Sequence, residues 1–225
     1  MKRILAAIIA AALLLSGCTS ASRPAESAPP TGTPSPSPTP IVTPTPEPEP
    51  ADDELVLVRD YIPGIFIDLK YATTDNFTGR VIYDSDEAYL RYGTVKKLLC
   101  AQNELSGRGL SLKIWDAYRP VSAQFKLWEI CPNPVYVSDP NNGYSKHSRA
   151  NTVDITLVTD TGESISMPSG FDDFTSLADR DYSDVSDEAA ENARLLENVM
   201  VENGFVPYSG EWWHYSDSVA YDVYG

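Results

Sequence analysis

The chain is poor in positive charge, histidine and cysteine, and each shortage closes off a class of function. Its 17 Lys and Arg face 32 Asp and Glu, a formal net charge of −15. A phosphate backbone is held by a basic face, and here the cations are scattered, so nucleic acid is excluded as a partner. Two histidines are too few for a metal-uptake protein built on clustered imidazoles. The apolar run that opens the chain, Ile4 to Leu15, falls short of the ~20 residues that a permanent membrane helix needs. There is no internal repeat, which sets aside repeat architectures.

What is present divides the chain into three. Lys2 and Arg3 precede the apolar run and Leu15-Ser16-Gly17-Cys18 follows it, so residues 1–18 read as a bacterial lipoprotein signal ending at a lipidated Cys18. Acyl chains on that cysteine would anchor the protein to a membrane, each buried methylene contributing ~0.8 kcal/mol. Residues 19–53 are rich in Pro, Ser and Thr, as in Thr33-Pro34-Ser35-Pro36-Ser37-Pro38-Thr39-Pro40. They carry too little apolar surface to fold and favour extended polyproline II, which makes a stalk. Residues 54–225 are long enough for one domain with a proper core. The expected location is the bacterial cell envelope, outside the cytoplasm. With Cys18 spent on lipid, Cys100 and Cys131 are left in an oxidising compartment; a disulfide and two buried thiols are both open, since spacing does not bring their Cα atoms together.

Within the domain, Leu55–Val58 and Ile65–Ile67 read as short strands around Pro63-Gly64. Apolar positions from Asp86 to Leu105 predict a helix closed by Gly107, Leu110–Trp115 a strand, and Pro120 the start of a helix reaching Ile130. Thr152–Val158 and Ser164–Met167 predict a hairpin. Ser186 caps a helix that Gly204 stops, and Glu211–Tyr215 predicts the last strand. The mixture without βα alternation gives an α+β fold, a single domain with a small, mainly antiparallel sheet flanked by helices.

The two histidines, His147 and His214, each stand among other candidate site residues. An open catalytic zinc site takes three protein ligands, and Asp154, seven residues past His147 where a loop enters a predicted strand, offers the third. Glu211, three residues before His214 in Glu211-Trp212-Trp213-His214, is the natural base beside such a metal. Each piece alone is weak: a lone histidine is more often a hydrogen-bonded core or surface residue, an Asp on a strand a solvated edge, and a Trp pair core.

Together these residues resemble the vancomycin-resistance-type D-alanyl-D-alanine dipeptidases, zinc D,D-peptidases marked by Ser-x-His, an Asp at a fixed interval and a later Glu-x-x-His. Asp68-Leu69-Lys70-Tyr71-Ala72-Thr73-Thr74-Asp75-Asn76-Phe77-Thr78-Gly79 and Trp115-Asp116-Ala117-Tyr118-Arg119-Pro120 resemble two further motifs of that branch, so the likeness spans nearly all of Leu55 to Tyr215. The resemblance implies one Zn2+ at the sheet on His147, Asp154 and His214, with Glu211 as general base and then acid. It implies Arg119 as the electrophilic helper, and Asp172, or its neighbour Asp173, as the holder of the ammonium of a small D,D-dipeptide. Ser145 lines the site or braces the loop. The family prefers Gly at Ala150 and Ala at Thr152, so this loop carries more bulk than usual. The short acidic segment Tyr215–Gly225 leaves the pocket rim undetermined.

Two other functions compete. A related D,D-carboxypeptidase would trim D-Ala from peptidoglycan stem peptides with the same chemistry in a wider groove. A lipoprotein that only binds zinc or a wall peptide would have no use for Glu211 beside a ligand. An outward-facing dipeptidase fits recycling of D-Ala from wall turnover better than action on a cytoplasmic pool.

Overall fold

The computed structural model describes residues 48–225; the leader with Cys18 and the stalk up to residue 47 lie outside the described residues. Asp52 already lies against the domain, accepting from Lys96 Nζ at 2.6 Å, and the Asp53 carbonyl accepts from Arg91. The fold is α+β. A five-stranded sheet runs in the order β2 (Phe66–Ile67), β4 (Leu110–Asp116), β5 (Thr152–Thr159), β7 (Glu211–Asp217), β6 (Phe205–Tyr208). Only β2 and β4 are parallel; the other three pairings are antiparallel, the mainly antiparallel sheet expected. A second, two-stranded sheet pairs β1 (Leu55–Leu57) with β3 (Tyr89–Arg91).

The helices follow from their patterns. In α4 (Asp187–Glu202) Ala189, Ala193, Leu196 and Met200 fall on one face and are buried. Ser186 caps it, its hydroxyl accepting from the Ala189 N–H at 3.2 Å. Just past its end Gly204 adopts φ +87°, a conformation that glycine takes without steric cost. Helix α2 (Tyr92–Ser106) buries Val95, Leu98, Ala101 and Leu105 against β4 and α4. Gln102 lies on that face too, and β4 satisfies its amide: Oε1 accepts from the Leu112 N–H and Nε2 donates to Ser111 Oγ, both at 2.9 Å. Helix α3 spans Val121–Ile130 directly behind Pro120, and α1 is the single turn Val58–Tyr61.

Two local expectations are corrected, and two points that the sequence leaves open are filled in. Tyr89–Arg91 is a strand and the helix begins at Tyr92, because Leu90 is fully buried by pairing with β1. Ser164–Met167 forms no second hairpin strand; one bridge, Val158 to Ser164, is made before the Ser166 carbonyl turns to accept from Asn192 of α4. Strand β6 was hidden by Pro207, which is tolerated because β6 is the sheet edge, where a missing N–H breaks no ladder. Cys100 is exposed on α2 and Cys131 follows α3, and both are free thiols.

Candidate active site

Three strands bring the site together. Asp116 at the end of β4 lies opposite Asp154 of β5, and Asp154 lies opposite His214 of β7, so the three residues form a row across the sheet. His147 approaches from the 3₁₀ turn Lys146–Arg149 that leads into β5. Ser145 caps this turn, its hydroxyl accepting from the His147 N–H at 3.3 Å, and it also lines the cavity beside the site. At the other end of the turn Ala150 takes the left-handed conformation, φ 57°. A Cβ there costs roughly 1 kcal/mol, which accounts physically for the family's glycine. The bulk at Thr152 is accommodated by a hydrogen bond from its Oγ1 to Ser216 Oγ at 3.1 Å.

The ring of His147 is oriented by a carbonyl. Its Nδ1 lies 2.9 Å from the oxygen of Ala117, which can only accept, so Nδ1 carries the hydrogen and Nε2 faces Asp154 and His214. His147 Nε2 is 3.3 Å from Asp154 Oδ2 and 3.4 Å from His214 Nδ1, and His214 Nδ1 is 2.9 Å from Asp154 Oδ1. Ligands about 2.0 Å from a tetrahedral zinc ion stand about 3.3 Å apart, so these donors fit that ion in type and spacing. Glu211 reaches in from the start of β7, with Oε2 3.4 Å from His214 Nδ1. Its neighbours Trp212 and Trp213 are buried and form a cluster with Trp115 and Phe171.

Electrostatics separates the carboxyls. Burial works against ionised Asp154, yet His147 and His214 outweigh it and hold its pKa far below the usual range. Burial keeps His214 below its ordinary value, favouring the neutral ring that ligates metals. His147 is raised despite burial, by Asp154 and Asp116. Glu211 is pushed up to about 7 by burial and then by Asp154 and Asp172.

Arg119 is buried on a rigid mount. Its Nε and Nη2 donate to Asp116 Oδ2 at 3.1 and 2.5 Å, its Nη1 to Gln124 Oε1 at 3.0 Å, and its backbone N–H to the His147 carbonyl at 3.2 Å. Its guanidinium lies 5.0 Å from the ring centre of Tyr71. Tyr71 in turn donates to Asp172 Oδ2 at 2.7 Å. Burial raises the Asp172 carboxyl to about 7 even though the Tyr71 bond opposes the shift. Asp173 is spent elsewhere, accepting from the N–H and hydroxyl of Thr175 in an exposed turn, so of the two it is Asp172 that turns toward the site. Nothing in the sequence marks Asp116, Gln124 or Tyr71 as a site residue, although Tyr71 and Asp116 stand inside the family motifs. A cavity of about 260 Å³ opens beside Glu211 and His214, walled by Ser145, Lys146, Tyr136 and Tyr208. The C-terminal segment packs behind the 3₁₀ turn, away from the cavity lining: the Tyr221 carbonyl accepts from Arg149 and the Tyr224 N–H donates to the Ser148 carbonyl.

A family model described as D-Ala-D-Ala dipeptidase matches residues 51–222. The chain belongs to the D-Ala-D-Ala dipeptidase family. It is 39% identical over 162 residues to a D-alanyl-D-alanine dipeptidase of Escherichia coli, covering 72% of this chain and 83% of that protein. A D-alanyl-D-alanine dipeptidase of Enterococcus faecium is 35% identical over 176 residues, covering 69% of this chain and 87% of the relative. Among solved structures, VanYB in complex with D-alanyl-D-alanine is a remote likeness: 16% identity, TM-score 0.41, 69% of this chain and 86% of that one. The Ser-x-His, Asp and Glu-x-x-His positions of this dipeptidase family member are the ones that the sheet and its 3₁₀ turn bring together.

Proposed function

We propose that the protein is a zinc metallopeptidase that hydrolyses D-alanyl-D-alanine to two molecules of D-alanine. The observation that carries the reading is the convergence of His147, Asp154 and His214 beside Glu211, in a chain of this family. Zinc held by those three residues would supply a positive charge that polarises the scissile carbonyl and makes water nucleophilic near neutral pH. Glu211 accepts the proton of the attacking water and returns it to the departing amine. Its raised pKa belongs to the cation-free protein; a divalent charge held by the same groups would draw it down and leave Glu211 a proton acceptor at neutral pH. Arg119, held by Asp116 and Gln124, presents its guanidinium to the carbonyl oxygen as that oxygen gains charge. Asp172, steadied by Tyr71, holds the substrate ammonium, and Ser145 lines the cavity.

The test is D-Ala release by the zinc-loaded protein from the dipeptide and from a stem pentapeptide, with and without chelator. Preference for the pentapeptide would make it a D,D-carboxypeptidase instead. No turnover of either peptide at stoichiometric zinc would leave only a binding protein. The leader sequence supports anchoring through lipid on Cys18, with the domain held outside the cytoplasm. A Cys18→Ala protein should lose the detergent-phase partition of the wild type, and an unchanged partition would refute the anchor.

A further inference from the structure

Two loops with no hydrogen bond or ion pair between them, among the described residues, meet through a pair of aromatic rings, one of which walls the cavity. Tyr136 follows α3 and forms part of the cavity wall beside Glu211 and His214. Phe174 belongs to the loop that carries Asp172. Their ring centres are 4.4 Å apart and tilted by 35°. Behind Phe174 stands Phe77, edge-on at 5.4 Å, and Phe77 in turn meets Tyr71, the hydrogen-bond partner of Asp172, edge-on at 6.3 Å. A line of rings therefore runs from the cavity wall to the group proposed to hold the substrate ammonium.

Both rings of the central contact remain substantially exposed, Tyr136 at 45% and Phe174 at 43% of their surface. Residues of this size left in water beside a polar site contribute little to a core, and their contact joins two loops across the surface. Each side is tied to a different part of the site. On one side the Ser138 carbonyl accepts from Gln124 Nε2 at 2.6 Å, and the same amide accepts from Arg119, so the Tyr136 loop is referenced to the catalytic arginine. On the other, Phe174 lies two residues beyond Asp172, whose backbone is in the left-handed conformation at φ 53°.

We infer that Tyr136 and Phe174 form an aromatic clasp that sets substrate length by closing the path beyond the ammonium end of a dipeptide. The inference rests on the proposed peptidase reading. A dipeptide ends where its ammonium meets Asp172; any residue added there must pass the Phe174 loop, where the clasp stands in the way. The carboxylate alone weakens the binding of a longer peptide without blocking it, because an amide N–H still donates to Asp172 in place of the ammonium. The ring contact makes the distinction by occupying the space that a further residue would need.

The experiment measures kcat/KM of the zinc-loaded full chain for D-Ala-D-Ala and for L-Lys-D-Ala-D-Ala in the wild type, Tyr136→Ala, Phe174→Ala and Tyr136→Phe. The expected result is a shift of the ratio toward the tripeptide by about tenfold in each alanine variant. Tyr136→Phe keeps the wild-type ratio, since the ring and not the hydroxyl makes the contact. Thermal unfolding identifies a variant that fails to fold, and the other alanine variant then reads the same contact from its opposite side. An unchanged ratio in a folded alanine variant that still cleaves the dipeptide overturns the clasp and leaves the peptidase reading intact. A wild-type protein that cleaves neither peptide overturns the peptidase reading, and the clasp with it.

Discussion

Replacing Asp172 by Asn in the metal-free protein should change how stability depends on pH. The carboxyl is raised from 3.8 to about 7, chiefly by burial, with Tyr71 opposing and Asp154 adding to the shift. Because the folded pKa exceeds the unfolded one, the native state binds more protons between those values, and stability falls as pH rises from about 4 through 7. At ~1.36 kcal/mol per pH unit the loss is at most roughly 4 kcal/mol, and water at this partly exposed residue trims it toward roughly 2. Asn has the same size, tolerates the left-handed backbone found here and still accepts from Tyr71, but it does not ionise. Glu211 also titrates in this range and is raised in part by Asp172 itself, so it rises less in the variant and adds to the difference in the same direction. Urea unfolding in the presence of chelator, at pH 4 and pH 8, supplies the two free energies for each protein. The variant should gain about 2–4 kcal/mol relative to wild type between those pH values, with the urea slope unchanged. The same offset at both pH values would refute the reasoning, because the Asp172 carboxyl would then be no more costly to ionise folded than unfolded.

The remaining predictions concern the metal and the arginine. His147→Ala should lose bound zinc by metal analysis, whereas Glu211→Gln should keep it and lose turnover by about 10²–10⁴-fold, because the amide does not accept a proton. Near-normal turnover by Glu211→Gln would remove it as the base. Arg119→Lys is a cleaner test than Arg119→Ala, since Ala would leave Asp116 buried without its ionic partner at roughly 3–5 kcal/mol of stability. The lysine variant should bind zinc normally and lose about 10²-fold or more in kcat with little change in KM; an unaltered kcat would exclude Arg119 from the transition state.

The candidate ligands were legible because both histidines fall in recognisable motifs, and His147, Asp154, His214 and Glu211 do converge in space. The supports were not legible. Gln124 is one polar residue on a helix and reads as solvated until the fold shows it bridging Arg119 and the Ser138 carbonyl. Asp116 sits at a strand end, a usual place for a surface charge, and its burial depends on Tyr83 and Arg119 arriving from segments distant in sequence or beyond a turn. Secondary structure failed where pairing overrode local pattern: Leu90 satisfied a helical spacing yet was claimed by β1, and Pro207 masked an edge strand.

The row Asp116–Asp154–His214 has a consequence for the making of the protein. Neighbouring side chains on a strand point to opposite faces, so a slip of β7 against β5 by one residue would turn His214 away and put a tryptophan or a tyrosine opposite Asp154. Asp154 and His214 would hold a divalent cation together only in the register that puts them on one face. An ion held by these side chains would therefore stabilise the native alignment of the central strands over its one-residue slips.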